Sequence, residues 1–428
     1  MIKRRRFLQA SVLVPLSFSV PGRAKPRVVI VGGGFGGATA AGYIKKLAPS
    51  AEVSLVEPAR AFITCPFSNL VVAGKRDINT ITFDYTGLQA AGVRHIATSA
   101  RSIDPKGRLI YLESNSAPLA CDFLVLSPGI ELVYDSIEGT GVRTPMELPH
   151  AWKAGYQTLR LRSQLEDMKQ GGVFVIAAPD NPYRCPPGPY ERASLVAEYF
   201  KRHNPRAKII IVDAKDNFTK KALFQEGWNE RYPGMIDWVP VSQTGTLRRV
   251  DEDKVFYTDF DEFPADVGNL IPPQRAGAIV TESGLDGGRG WCEVDPGNFE
   301  STLASNVYIL GDAVNAAPMP KSAFSANNQA KVCAASIAAR INGTPPLETF
   351  MMNTCYSLIG EDYGISISGV YKTANERLVA VPDSEDTSPL GADKAFRQAE
   401  AKYTHDWYRA ITADTFIANK TLSHEAGA

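Results

Sequence analysis

The chain has 428 residues, 44% of them hydrophobic and 21% charged, which suits two to four domains with a large buried core. Lys and Arg number 46 and Asp and Glu 46, a balance that argues against a nucleic-acid binder, which needs a basic excess or patch. The sequence has no apolar run of about 18 residues to read as a spanning helix, and its six cysteines are too few for a disulfide scaffold but enough for one or two redox or covalent tasks.

In chain order, residues 1–24 read as an export signal. Lys3, Arg4, Arg5 and Arg6 form a basic start, and the order Arg4-Arg5-Arg6-Phe7-Leu8 resembles the twin-arginine motif. An apolar stretch runs from Ser11 to Val20, and Gly22 and Ala24 suit a cut after Ala24. The expectation is a mature protein in the bacterial periplasm, exported folded with its cofactor.

Arg27 to Val31 is a short continuous apolar run, as a buried parallel strand requires. Gly32, Gly34 and Gly37 then give Gly-x-Gly-x-x-Gly, an Ala-rich helix follows from Ala38 to Leu47, and a second strand from Ala51 to Val56 ends at Glu57. The first glycine allows the tight turn, the second lets a pyrophosphate approach the backbone, and the third lets helix and strand pack closely. Glu57 lies about 20 residues past Gly37, where a ribose-binding acid belongs. The order strand, glycines, helix, strand, acid predicts a dinucleotide fold.

Leu124 to Ser127 is a further apolar strand. Much later, Asn306 to Leu310 runs into Gly311-Asp312-Ala313, which resembles the second FAD signature of two-dinucleotide flavoproteins, with Asp312 on a ribityl hydroxyl. Read from the residues alone, the alternative for Asp312 is a helix cap or turn residue. A helix is predicted from Ser322 to Ile341, stopped by Gly343, with its N-terminus toward the flavin. Lys321 reads as either a loop lysine or a flavin contact.

Gly172 to Ala177 is again a buried strand, where a second phosphate-binding glycine motif would follow in a reductase that uses NAD(P)H. Instead the chain reads Arg184-Cys185-Pro186-Pro187-Gly188-Pro189 before a helix near Tyr190 to Phe200 and a strand from Lys208 to Val212. Proline has no N–H to offer a phosphate, so the βαβ skeleton is kept and the phosphate site is replaced by a stiff cysteine loop. Cys185, close to a helix start, is placed for a redox thiol.

These departures resemble the flavoprotein subunit of flavocytochrome c sulfide dehydrogenase over about residues 25–425. The runs that carry the resemblance are Thr64-Cys65-Pro66-Phe67-Ser68-Asn69, Arg184 to Arg192, and Asn353-Thr354-Cys355-Tyr356-Ser357-Leu358. The wider fold is that of the disulfide oxidoreductase flavoproteins, shared with sulfide:quinone oxidoreductases. The resemblance implies FAD held by a thioether to Cys65, and a redox-active disulfide between Cys185 and Cys355. Cys121, Cys292 and Cys333 read as core residues, the five histidines show no metal-ligand spacing, and no tryptophan reads as a cofactor stack.

The expected architecture is α/β, with two Rossmann-like dinucleotide-binding domains and a C-terminal α+β region. An FAD domain takes 25–140 and 268–345, a vestigial NAD-like domain 141–267, and a flavin-covering region 346–428. The implied chemistry is sulfide oxidation: hydrosulfide attacks the Cys185–Cys355 disulfide, sulfane sulfur or polysulfide leaves, and electrons pass through FAD. Glu191 is a candidate base. The chain has no Cys-x-x-Cys-His, so a c-type cytochrome acceptor would be a partner. The competing readings are a sulfide:quinone oxidoreductase and a non-catalytic electron-transfer or sulfur-carrier subunit.

Overall fold

The computed structural model describes residues 24–114, 117–346 and 348–417. The export-signal reading falls, Ala24 apart, outside the described residues.

The first unit opens with β1 (Arg27–Val31), α1 (Phe35–Leu47), β2 (Glu52–Val56), β3 (Arg94–Ile96) and β4 (Phe123–Leu126). β1 pairs in parallel with both β2 and β4, Val29 standing opposite Ser54 and Leu124. Val28 and Ile30 on one face of β1 and Val29 and Val31 on the other are all buried, which is why the run is apolar without alternation. Each such side chain contributes roughly 1.5–3 kcal/mol by leaving water.

The second unit holds β5 (Val173–Ala178), α2 (Gly188–His203), β6 (Lys208–Asp213), α3 (Lys221–Arg231), β7 (Ile236–Val239) and β8 (Val267–Leu270). Its sheet is parallel, in the order β7-β6-β5-β8. Ile130–Leu132 pairs antiparallel with Gln274–Ala276, joining the outgoing and returning connections between the two units.

The chain then completes the first sheet with β9 (Val307–Ile309), giving the order β9-β4-β1-β2-β3. The helix expected from Ser322 to Ile341 is α4 (Ala323–Asn342). Ser322 caps it, its Oγ accepting the Ser325 N–H at 3.0 Å, and Gly343 ends it at φ +68. The glycines and alanines of α1 let α4 pack directly against it.

The C-terminal region is a long antiparallel hairpin, β10 (Phe350–Gly360) and β11 (Tyr363–Ala374), extended by β12 (Arg377–Ala380) and covered by α5 (Lys394–Phe416). Asp414 ties α5 to the first unit by accepting from Tyr43 Oη at 2.7 Å and Asn327 Nδ2 at 2.8 Å. No helix among the described residues is long and apolar enough to cross a membrane.

Candidate active site

The turn from β1 into α1 is possible only with glycine. Gly32 sits at φ +99, and a methyl group on it would lie 2.3 Å from Ser127 O; one on Gly37 would lie 1.8 Å from Gly32 O. Gly34, just before α1, has no neighbour closer than 3.4 Å to such a methyl, so its freedom is kept for an approaching ligand. Glu57, past the end of β2, accepts the N–H of Gly33 at 2.9 Å and of Ala59 at 3.0 Å. A carboxylate has about four lone-pair sites, so capacity remains for ribose hydroxyls. Gly32, Gly34 and Glu57 line a cleft of about 580 Å³ that also takes in Cys65, Cys185, Asp312 and Cys355.

Asp312 follows β9 through Gly311, whose φ is +78. Its Oδ1 is buried and has no hydrogen-bond partner in the protein, and desolvation pushes its carboxyl up. Such an orphan acceptor is costly unless a ligand donates to it. The first turn of α4 lines the same cleft through Ala323, Phe324 and Ala326. Glycine cradle, ribose-binding acid, orphan aspartate and helix N-terminus together fit a dinucleotide such as FAD. Lys321 braces this loop, donating to Asp312 O at 2.9 Å and lying 3.7 Å over the Trp291 ring.

The equivalent place on the second sheet is filled by the protein itself. Asp213 ends β6 where a ribose acid would stand, yet its carboxylate accepts from Tyr190 Oη at 2.6 Å, Trp238 Nε1 at 2.8 Å and Lys215 Nζ at 2.6 Å. Tyr190 stacks on Phe218 with ring centroids 3.6 Å apart. The Cys185 loop runs where phosphate-binding glycines would lie. Cys185 is held left-handed at φ +58; its N–H donates to Lys321 O at 2.9 Å and its carbonyl accepts the Gly188 N–H at 2.8 Å. The loop is thus fastened to the segment that carries Asp312.

Cys355 lies in the middle of β10, opposite Ile367 of β11. Its Sγ accepts from Asn353 Nδ2 at 3.2 Å. Burial raises its thiol, and the Asn353 amide, the Lys220 ammonium and the Ser322 hydroxyl oppose that rise. Burial, with Glu191 and Cys355 close by, pushes the Cys185 thiol well up. Glu191, in the first turn of α2, accepts from Asn69 Nδ2 at 2.8 Å and from the Leu358 N–H at 3.0 Å; burial raises its carboxyl. All six cysteines are free thiols in the structure. The 185–355 bond implied by the resemblance is therefore not formed here, although both residues face one cleft. Cys65, in the loop before Ser68–Val72, lines its wall. Cys121, Cys292 and Cys333 are buried in the core.

A wall residue and a hub beside the wall were not legible as such. Trp407 of α5, read as packing, lines the cleft, and its Nε1 is buried without a partner. Arg192 is a buried hub: it donates to Asn69 Oδ1 at 3.0 Å, Asn269 Oδ1 at 2.7 Å, His150 O at 2.9 Å and Ala151 O at 2.6 Å. It fixes the start of α2 against the Cys65 loop. The signal for it was the Tyr-Glu-Arg run directly after the cysteine loop, which carried no assigned role for the arginine.

Three family models match the chain: pyridine nucleotide-disulphide oxidoreductase over residues 26–167, the central part of the sulfide dehydrogenase [flavocytochrome c] flavoprotein chain over 158–272, and the flavin-binding part of flavocytochrome c sulphide dehydrogenase over 348–416. A sulfide dehydrogenase [flavocytochrome c] flavoprotein chain of Chlorobaculum thiosulfatiphilum is 69% identical over 45 residues, covering 10% of this chain and 94% of that sequence. The mitochondrial sulfide:quinone oxidoreductase of Mus musculus is 22% identical over 341 residues, covering 76% of this chain and 73% of that protein. In fold, the crystal structure of the Aquifex aeolicus sulfide:quinone oxidoreductase superposes with a TM-score of 0.73 at 17% identity, over 92% of this chain and 93% of that one.

Proposed function

The chain belongs to the flavoproteins related to flavocytochrome c sulfide dehydrogenase and sulfide:quinone oxidoreductase, and from that premise we propose that it oxidises sulfide at Cys185 and Cys355 and delivers the electrons, through FAD, to a c-type cytochrome. The observation that carries this reading is the joint placement of both cysteines with Glu57 and Asp312 on one cleft, while Asp213, Tyr190, Trp238 and Lys215 fill the second nucleotide position. Reducing equivalents then enter through sulfur and not through a nicotinamide.

Gly32, Gly34 and Glu57 would hold the cofactor's adenosine pyrophosphate end and Asp312 its ribityl chain, while Gly37, which does not line the cleft, lets helix and strand pack closely beneath it. When bound, FAD supplies a two-electron acceptor beside the cysteines. Cys65 is the proposed covalent tether; acid precipitation is expected to leave flavin colour in the pellet of the native chain and to release it to the supernatant from Cys65→Ala. In the oxidised chain, a Cys185–Cys355 disulfide would take up hydrosulfide by thiol–disulfide exchange. Glu191, its carboxyl raised by burial, is placed to hold or accept the sulfide proton. Export to the periplasm, proposed from the Arg4–Leu8 motif, brings the chain to soluble c-type cytochromes.

A quinone acceptor is the second reading, favoured by the sulfide:quinone oxidoreductases that match over most of the chain. Stopped-flow reoxidation of the sulfide-reduced protein separates them. Rapid electron transfer to cytochrome c supports the first reading, and rapid reoxidation by a soluble quinone with an inert cytochrome supports the second.

A further inference from the structure

The two cysteines sit in unlike surroundings. On β10 the period of two puts Asn353, Cys355 and Ser357 on one face. Asn353 Nδ2 donates to Cys355 Sγ at 3.2 Å, and Ser322 Oγ donates to Asn353 Oδ1 at 2.5 Å, which orients that amide. Beside them lies Lys220, held left-handed at φ +64 where α3 begins and only 8% exposed. Its Nζ donates to Cys355 O at 2.7 Å, Ser357 Oγ at 2.9 Å and Ile365 O at 3.4 Å. Those acceptors are two carbonyls and a hydroxyl, so the ammonium meets no carboxylate among them. The charges that face it are Glu191 on α2, Glu400 on α5 and the thiols of 355 and 185. Arg184 acts on Cys185, and Tyr371 on β11 faces Cys355. Cys185, in contrast, packs on the apolar core of the second unit, its sulfur and the Trp152 ring flanking Gly188.

We propose that Lys220 is a positioning residue that holds Cys355 as the thiolate of the pair, so that Cys355 is the leaving sulfur and Cys185 carries the sulfane sulfur. The assignment deepens the sulfide-oxidation reading and rests on it. Hydrosulfide attacks Cys185 Sγ of the disulfide. The new S–S bond forms as the Cys185–Cys355 bond breaks, and the electron pair leaves on Cys355. The products are a hydropersulfide on 185 and a thiolate on 355, with one negative charge on each side. The better-stabilised thiolate leaves faster, and a neighbouring ammonium with an amide donor on the sulfur supplies that stabilisation. Burial draws Lys220 down to about 8, so it is still charged at neutral pH.

The test alkylates Cys355 with iodoacetamide across a pH series in full-length holoprotein carrying Cys185→Ser, read by peptide mass spectrometry. Adding Lys220→Met is expected to slow alkylation at pH 7 about tenfold and to move its midpoint up by about one pH unit. Lys220→Arg is expected to keep the midpoint. An unchanged midpoint in folded Lys220→Met overturns the assignment. A second measurement needs no lysine variant: after one equivalent of sulfide, the otherwise unaltered chain is expected to carry the extra sulfur on the Cys185 peptide, and finding it on the Cys355 peptide overturns the assignment. Alkylation uses no sulfide, so if neither cysteine accepts sulfur the functional reading fails while the pH profile still decides the role of Lys220.

Discussion

At the scale of single residues, the site combines groups whose ordinary behaviour is altered by burial. His150 shows the effect most simply. Its Nδ1 accepts the Trp152 N–H at 2.7 Å. Burial, together with Arg192, Arg184 and Lys153, draws it down to about 3. In the unfolded chain it takes a proton near its ordinary value of about 6.5. Below that pH the unfolded state gains a proton that the folded state refuses, so stability is full above about 6.5 and is lost as pH falls toward 3, by at most about 1.4 kcal/mol per pH unit. His150→Asn is therefore expected to narrow the difference in thermal midpoint between pH 7 and pH 5; an equal difference in both proteins would remove His150 from the acid response. Asp312 has the opposite character. Its orphan Oδ1 gains a partner only on cofactor binding, so Asp312→Ala should cost bound flavin without lowering the apoprotein's thermal midpoint. A fall in that midpoint with full flavin content would make the aspartate structural.

At the scale of elements, the glycines divide by what they must avoid. Gly37 faces the backbone of the turn and Gly34 faces the cleft. Gly37→Ala is expected to destabilise even the apoprotein, by roughly 1–3 kcal/mol or more, since the turn carbonyl of Gly32 must move. Gly34→Ala should leave apoprotein stability within about 0.5 kcal/mol and lower the flavin incorporated per chain. Equal thermal losses in the two would contradict the division. This level was largely legible in the sequence, because strand, glycine turn and helix each announce themselves locally: Val28–Val31 by unbroken apolarity and the end of α4 by the stop at Gly343, while the cap role of Ser322, read as the helix's first residue, came from the structure. The Asp213 network was not legible. Lys215 follows Asp213 by two residues, but Tyr190 on α2 and Trp238 on β7 are distant in sequence, and only the folding of α2 and β7 against β6 brings them onto the same carboxylate. Lys220 was missed for a similar reason, since nothing in the sequence joins the start of α3 to the middle of β10.

At the scale of the molecule, the fold gathers pieces from four distant stretches of chain. The Cys65 loop, the Cys185 loop, the Gly311–Ala313 turn and the β10 strand meet because β9 returns to the first sheet and β10 packs on α2. Arg192 and Lys321 clamp the first three of these to one another. The resemblance supplied the meeting of Cys185 and Cys355 that spacing alone could not, and their common cleft gives that pairing a physical setting. The claim on which the account turns is that electrons reach the flavin from sulfide through these two thiols and not from a nicotinamide. Anaerobic mixing of oxidised holoprotein with sulfide and, separately, with NADH, followed at the flavin's visible absorption, tests it. Sulfide should bleach the native chain rapidly and leave Cys185→Ser and Cys355→Ser coloured, while NADH leaves all three oxidised; rapid bleaching by NADH, or undiminished bleaching by sulfide in both variants, would contradict it.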